Sequence, residues 1–470
     1  MILADRYFYP PDFYDKSRIT LETALNTAPA YSVWKTLDPG ANVAVDLRYD
    51  AMPGLTKQMI RDHFPMGLVP NRRNVEEGLL NEEIEYTYTS GTTGDRVINI
   101  WDQNWWDRAE AASWKLNAHT AKLTYPQREA KLASSLNVGI SCEEDLPISH
   151  RLVGEKLYLN EKINLVQWLP RHYKRMAAEL NSFKPAILEA NPSLLARLAF
   201  WALDEGVEIF SPSVIIFTYE FVSKIHLAAI KKVFSCPTVS SFGTTETGFV
   251  LEECEAGFLH QNIAYCRIDF QPLKERFGGP ELGRMYVTTF DNPWNTVVKF
   301  DTGDLVRLHP SGECACGRKE GLIAEGVEGR TSNSTFSVDG RLITTQALDR
   351  ALSVIPGLRD YNLEQHGQAR YELQIMLGRG GDCAACASGA TSASDASGKS
   401  GATRVSDASG ALSKSCASNA LDAARGVLQS LYGSDCDFDI KVLKNILPGP
   451  AGKFRRTRTN LDIDWDGLFI

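Results

Sequence analysis

Short apolar runs alternating with helix-period segments dominate the middle of the chain. Ala186-Ile187-Leu188-Glu189-Ala190, Val214-Ile215-Ile216-Phe217 and Thr238-Val239-Ser240-Ser241-Phe242 are bounded by polar or turn-forming residues and read as strands. Leu194–Ala199, after Asn191-Pro192-Ser193, and about Ser223–Phe234 read as helices. Strand, helix, strand in this order predicts parallel pairing in an α/β layer. Ligands in such layers sit at the carboxyl ends of strands. That puts forward Thr218-Tyr219-Glu220 and Gly243-Thr244-Thr245-Glu246.

Outside this block the pattern changes. Residues 1 to about 80 look helical and polar and read as scaffold, with a capped helix start at Leu55–Arg61. Ile84–Tyr88 alternates like a short strand, and Trp101–Glu110 reads as a helix whose tryptophans are core. Gly283–Phe290 and Val297–Phe300 read as strands of a smaller β-rich part, the second ended by Asp301-Thr302-Gly303-Asp304. Val327-Glu328-Gly329-Arg330 marks a boundary between domains 1–330 and 331–470. The second is expected to be α+β, with strands Tyr371–Leu377 and Asp437–Leu443 and a helix Ala420–Leu431. A Ser/Ala/Gly-rich insert with a near repeat, about 378–418, cannot bury a core and reads as a flexible loop.

A net charge of −8 over 470 residues argues against nucleic acid or an anionic membrane as partner. The start shows no basic region before an apolar core, and no apolar run reaches the length of a membrane span, so a soluble cytoplasmic protein is expected. Ten cysteines without an export signal read as thiols or metal ligands rather than disulfides. Cys383 and Cys386 have metal-pair spacing, but they lie in the insert without a second pair and read as bystanders.

The densest candidate chemistry is Thr89-Ser90-Gly91-Thr92-Thr93-Gly94, with two glycines and four hydroxyls after a strand. Glycines let backbone N–H groups turn toward an anion, and the hydroxyls add short donors. It is not a Walker loop, because no Gly-Lys-Ser/Thr follows. Three further segments come in order: Phe242-Gly243-Thr244-Thr245-Glu246, Asp301-Thr302-Gly303-Asp304 with Gly329-Arg330, and Pro448-Gly449-Pro450-Ala451-Gly452-Lys453. Singly, each has a bland reading: Asp304 a turn residue, Glu246 a helix cap, Lys453 a solvated tail lysine. Together they resemble the adenylate-forming superfamily of acyl-CoA synthetases, adenylation domains and luciferases. Leu55-Thr56-Lys57, Asn191-Pro192-Ser193 and the cysteine/histidine pattern make the chain look most like the phenylacetate-CoA ligase group.

The resemblance implies a large N-terminal domain of layered α/β subdomains with a small β-rich part, followed by a small mobile C-terminal domain. It implies that Thr89–Gly94 cradles the β- and γ-phosphates of ATP and that Phe242 lies beside the adenine, where the family usually has tyrosine. Thr245 and Glu246 would approach the α-phosphate, with Glu246 helping to hold Mg²⁺. Asp304 would accept from the ribose hydroxyls, with Arg330 nearby. Lys453 would bridge the attacking carboxylate and the α-phosphate. Tyr219 and Glu220 would form the floor of the acid pocket, in place of the family's Gly-Gly-Glu. Side chains there predict a small or flat acid. Ser332 stands at the hinge position, where the family often has Asp or Lys, and Asp95-Arg96 follows the phosphate loop in place of the usual Lys.

Cys254, His260, Cys314 and Cys316 make a Cys3His set, which suits a closed tetrahedral zinc site with a folding role. The phenylacetate-CoA ligase group has members with a similar arrangement. Cys236 and Cys266 are alternative ligands. The expected activity is an ATP-dependent ligase that adenylates an aryl or similar small carboxylic acid and passes it to coenzyme A. An amine or a carrier-protein phosphopantetheine as acceptor, a non-catalytic nucleotide binder, and a homodimer are left open.

Overall fold

In the computed structural model, described over residues 6–89, 97–124, 126–134, 142, 144–164, 168–378, 414–449 and 452–470, one twelve-stranded sheet runs through most of the chain. The predicted parallel layer is one half of it. Lys156–Tyr158, Glu129–Leu132, Ile187–Ala190, Val214–Phe217 and Thr238–Thr244 lie side by side and parallel. Its crossovers are the helices Pro170–Phe183, Pro192–Glu205 and Lys224–Val233. Asn191 and Ser223 cap the second and third helices through their side chains. Leu188, Ile215 and Phe217 bury against Leu194, Leu195 and Leu198 of the helix Pro192–Glu205 and Ile230 of the next.

The other half is antiparallel. Thr238–Thr244 pairs with Gly248–Glu253, and the sheet continues through Leu259–Gln261, Ile323–Arg330, Phe300–Leu308, Leu282–Thr289 and Cys266–Pro272. A single strand therefore belongs to both halves: Thr238–Ser240 pairs in parallel and Ser241–Thr244 antiparallel. Among the described residues no helix is long and apolar enough to cross a membrane.

Three expectations change. Val297 and Val298 are not in a strand. They are buried among the N-terminal helices, Val298 N–H donates to Tyr31, and Lys299 takes a left-handed φ of 49° that breaks the ladder. The strand starts at Phe300, so Asp301–Asp304 lies within it rather than at its end. Trp101 ends the strand Ile98–Trp101, and Asp102 caps the helix Gln103–Trp114. The helix expected at Ala420–Leu431 spans Lys414–Tyr432 and so takes up the end of the predicted insert. Residues 379–413, with Cys383 and Cys386, lie outside the described residues.

After Arg330 the chain makes a short turn at Thr331–Asn333 and enters a second, four-stranded sheet of Asp437–Val442, Arg370–Leu377, Leu358–Gly367 and Thr457–Thr459. The helices Thr345–Leu352 and Lys414–Tyr432 contribute to its core. The last residues then return to the antiparallel half. Leu468 and Phe469 bury against Leu273, Phe277, Leu282 and Leu305, and Phe469 bridges to Leu273.

Glu252 is fully buried in the strand Gly248–Glu253, and burial pushes its pKa up to about 8, with Glu110 adding to the shift. The native state thus keeps a proton that the unfolded chain, at its ordinary 4.5, releases. Stability falls as pH rises through that window, by up to ~1.4 kcal/mol per pH unit. The variant Glu252→Gln is expected to melt higher than the unchanged protein at pH 8.5 and to match it near pH 5, measured by calorimetry.

Candidate active site

Five stretches of the chain converge near the end of the strand Thr238–Thr244. Thr244–Thr247 forms the tip of the hairpin: Thr247 N–H donates to Thr244 O at 3.1 Å, and their hydroxyls lie 3.0 Å apart. Thr245 and Glu246 occupy the two central positions. Gly243 is required here, because a Cβ would come within 2.1 Å of Gly248 O. Phe242 is half-buried against the antiparallel core. Glu246 is buried, and its Oε1 lacks a hydrogen-bond partner among the described residues. Lys57 Nζ approaches that oxygen at 3.5 Å. Lys57 opens the helix Lys57–His63, capped by Thr56, in a region that reads as scaffold in sequence. The signal that could have singled it out is the Leu-Thr-Lys motif.

Asp304 and Arg330 are register partners on adjacent strands, with Arg330 Nε 4.0 Å from Asp304 Oδ1. Burial raises the pKa of Asp304, against the pull of Arg330, Lys453 and Lys57. Lys453 comes in from the C-terminal part. Burial lowers its pKa, helped by Arg330 and Lys57 and opposed by Glu220 and Asp304. Lys57, Arg330 and Lys453 therefore face one region with Asp304 and Glu246. Such a set suits a polyphosphate with a metal ion. Thr89 is buried, and its Oγ1 accepts from Val97 N–H at 3.0 Å across a hairpin, Glu85–Tyr88 with Ile98–Trp101. Ser90, Gly91, Thr92, Thr93, Gly94, Asp95 and Arg96, between those strands, lie outside the described residues, as do Pro450 and Ala451.

The residues expected to form the acid-pocket floor have other partners. Tyr219 OH donates to Glu189 Oε1 at 2.8 Å, and Lys131 pairs with Glu189 at 3.0 Å. Glu220 accepts from Ser193 Oγ at 2.8 Å and from Phe454 N–H at 2.8 Å. The surroundings of Tyr219 and Glu220 are thus charged, where a flat apolar lining would suit an aryl group. Nearby, a cavity of about 540 Å³ opens under the helix Gln103–Trp114, lined by Glu110, Glu129 and Lys156 among others. Burial pushes the pKa of Glu110 up to about 8, with Glu189 and Glu129 adding to it.

A buried polar network joins the two parts of the chain. Asp360 accepts from Arg456 at 2.5 Å and from Arg197 at 2.8 Å. Arg456 also reaches His226 Nδ1 at 3.1 Å and Ser193 Oγ at 3.3 Å. Asp349 accepts from Ser223 Oγ at 2.6 Å and from Lys224 N–H at 2.7 Å. Burial opposes ionisation of Asp360, but Arg456, His226 and Arg197 outweigh it and hold the carboxyl well below its usual range. Ser332, at the expected hinge, uses its carbonyl to accept from Arg455 at 3.3 Å.

The cysteine/histidine set comes together as predicted. The ligand atoms of Cys254, His260, Cys314 and Cys316 all lie within 4.8 Å of one another. Cys254 Sγ is 3.6 Å from Cys314 Sγ, and Cys316 Sγ is 3.3 Å from His260 Nε2. Two tight turns present the thiols, each closed by a left-handed glycine. Gly257 N–H donates to Cys254 O, and Gly317 N–H to Cys314 O. Burial lowers the pKa of His260 to about 4, so the ring is neutral, the form that ligates a metal. Cys266 and Cys236 are not in the set. Each packs in a different core cluster.

No protein-family model matches the chain. A stretch of 178 residues is 24% identical to the protein CapK of Staphylococcus aureus, and it makes up 38% of either chain. The matched stretch thus spans well under two thirds of that relative. Among solved structures, 2-hydroxyisobutyryl-CoA ligase in its postadenylation state with 2-HIB-AMP aligns over 98% of this chain and 92% of its own, at 15% identity and a TM-score of 0.66. With R3-HIB-AMP the TM-score is 0.68, also at 15% identity and 98% and 92% coverage. This chain has the adenylate-forming fold. The same ligase in its thioesterification state, with 2-HIB-AMP and CoA, aligns over 97% and 91% at 16% identity with a TM-score of 0.53. The similarity to this last structure is thus lower than to the two in the postadenylation state.

Proposed function

We propose that the protein is an ATP-dependent carboxylic acid ligase. The observation that carries this reading is the meeting of Lys453 with Arg330, Lys57 and Asp304, and of Lys57 with Glu246, from five separate stretches. A carboxylate oxygen attacks the α-phosphorus of ATP, the bond to the β-phosphate oxygen breaks, and pyrophosphate leaves. Lys453 lies between acid and α-phosphate, where charge develops. Asp304 accepts from the ribose hydroxyls, Arg330 flanks it, and Phe242 lies beside the adenine. Thr89–Gly94 holds the terminal phosphates. Glu246 Oε1, buried without a hydrogen-bond partner among the described residues, suits a hard cation. Bound Mg²⁺ would neutralise phosphate charge there.

The acyl group then passes to the thiol of coenzyme A. Coenzyme A as acceptor draws support from the CoA ligases that share the fold. The test is acid-dependent exchange of labelled pyrophosphate into ATP across polar, short-chain and aryl acids, followed by coenzyme A stimulation of AMP release. Absence of exchange with every acid, in folded protein that binds ATP, would overturn the reading. Domains 1–330 and 331–470 supply its two halves, with Ser332 at the hinge.

The Cys3His set is assigned a structural zinc. Zinc–sulfur bonds of ~2.3 Å in a tetrahedron put sulfurs about 3.8 Å apart, and Cys254 and Cys314 are at 3.6 Å. Elemental analysis of natively purified protein is expected to give about one zinc per chain. The variant Cys314→Ser should lose the metal and melt lower.

A further inference from the structure

Glu220 has both carboxylate oxygens committed, and the two partners come from different parts of the chain. Oε2 accepts from Ser193 Oγ at the start of the helix Pro192–Glu205, and Oε1 from the N–H of Phe454, the residue after Lys453. The backbone that aims Glu220 is strained. Glu220 N–H donates to Thr218 O at 3.0 Å across Tyr219, whose φ is +75°. This is a γ-turn with a left-handed centre, a rare form that is costly for an aromatic residue. The Tyr219 phenol, anchored on Glu189, holds it. Strain kept next to a candidate site invites a functional reading.

We infer that Glu220 is the positioning residue for Lys453: it fixes the backbone that carries the lysine, and it does so from the floor of the acid pocket. The inference rests on the adenylation reading above. Charge-assisted acceptance of a backbone N–H is among the stronger neutral-donor contacts, and it constrains the peptide unit next to Lys453 directly. Ser193 supports Glu220 from below, and Arg456 in turn donates to Ser193, so a second contact from the C-terminal part converges on the same pair. Adenylation would then depend on Glu220 through geometry. Acyl transfer from preformed acyl-adenylate, in which Lys453 has no assigned part, would not.

The test has two arms. In the first, no substrate is needed: hydrogen–deuterium exchange by mass spectrometry follows the peptide containing Phe454 in the full chain. Glu220→Ala is expected to speed exchange there by about tenfold or more, and Glu220→Gln, whose amide oxygen still accepts, to leave it near the unchanged protein. Equal protection in all three would overturn the inference. In the second arm, with any acid that supports pyrophosphate exchange, Glu220→Ala should lower kcat about 10- to 100-fold with KM for ATP unchanged, and Glu220→Gln should recover most of it. A rise in KM for ATP alone, or an equal loss in acyl transfer from supplied acyl-adenylate, would also overturn it. If Glu220→Ala does not fold, Ser193→Ala replaces it, with a smaller change expected in both arms. If the unchanged protein exchanges no acid, the adenylation reading fails, and the first arm still decides whether Glu220 holds the lysine backbone.

Discussion

Lys453→Ala is expected to lower acid-dependent pyrophosphate exchange by about a thousandfold or more while ATP affinity changes about twofold at most. The asymmetry follows from where the ammonium lies. It is half-buried, with the charges of Arg330 and Lys57 close by, so on the proposed reading the ground-state phosphates have other cations. In the proposed adenylation its particular contribution would be to the negative charge that gathers as the acid oxygen approaches phosphorus. An interaction made only then lowers kcat and kcat/KM together. Lys453→Arg should not rescue, because a guanidinium is bulkier and planar where a compact ammonium fits. Calorimetric titration with ATP, run beside the exchange assay, separates the two quantities. Equal losses in binding and turnover would assign Lys453 to substrate capture instead.

Asp360→Ala is expected to be the most damaging change outside that site. Asp360 is buried between Arg197, from the helix Pro192–Glu205, and Arg456, from the C-terminal part. Removing the carboxylate leaves two guanidiniums facing each other away from water, a loss of ~3–5 kcal/mol. The interface is where that cost is relieved most readily, so undocking of residues 331–470 should precede global unfolding. Limited proteolysis should then cut near Thr331–Asn333 faster, by about tenfold or more. The triple change Asp360→Leu, Arg197→Met, Arg456→Leu should restore stability more than docking specificity, since apolar replacement removes the buried charge along with the register it sets.

How much of this is legible in the sequence differs from one feature to the next. The parallel layer is legible because Ile187–Ala190, Val214–Phe217 and Thr238–Thr244 are apolar runs set between helices. Thr245 and Glu246 are legible because they follow the carboxyl end of the run Thr238–Phe242, where ligands of such layers sit, in a segment that carries the family resemblance. The cluster of Cys254, His260, Cys314 and Cys316 is legible because two short cysteine-bearing segments supply the soft ligands of one closed set, as the resemblance also implies. The interdomain network is not. Arg456 and Ser193 are 263 positions apart, Arg197 and Asp360 163, and each taken alone resembles a solvated charge or a helix-start hydroxyl. Lys57 is hidden for the same reason. Val297 and Val298 mislead in the opposite way, since a β-branched pair fits a packed turn as well as a strand. Tyr219 and Glu220 suggest a filled pocket. What fills it is ionic, which no local pattern reveals.

The strip Leu468-Phe469, seated on Leu273, Phe277, Leu282 and Leu305, gives the C-terminal part a second attachment. It leaves the large part at Thr331 and comes back to it at the end of the chain. A body fastened at one point can swivel in any direction; one fastened at two, like a gate on a pair of pins, is left with a single axis through both. If the proposed two half-reactions require a swing, either it follows that axis, or the tail has to unpin first and becomes a step with its own rate.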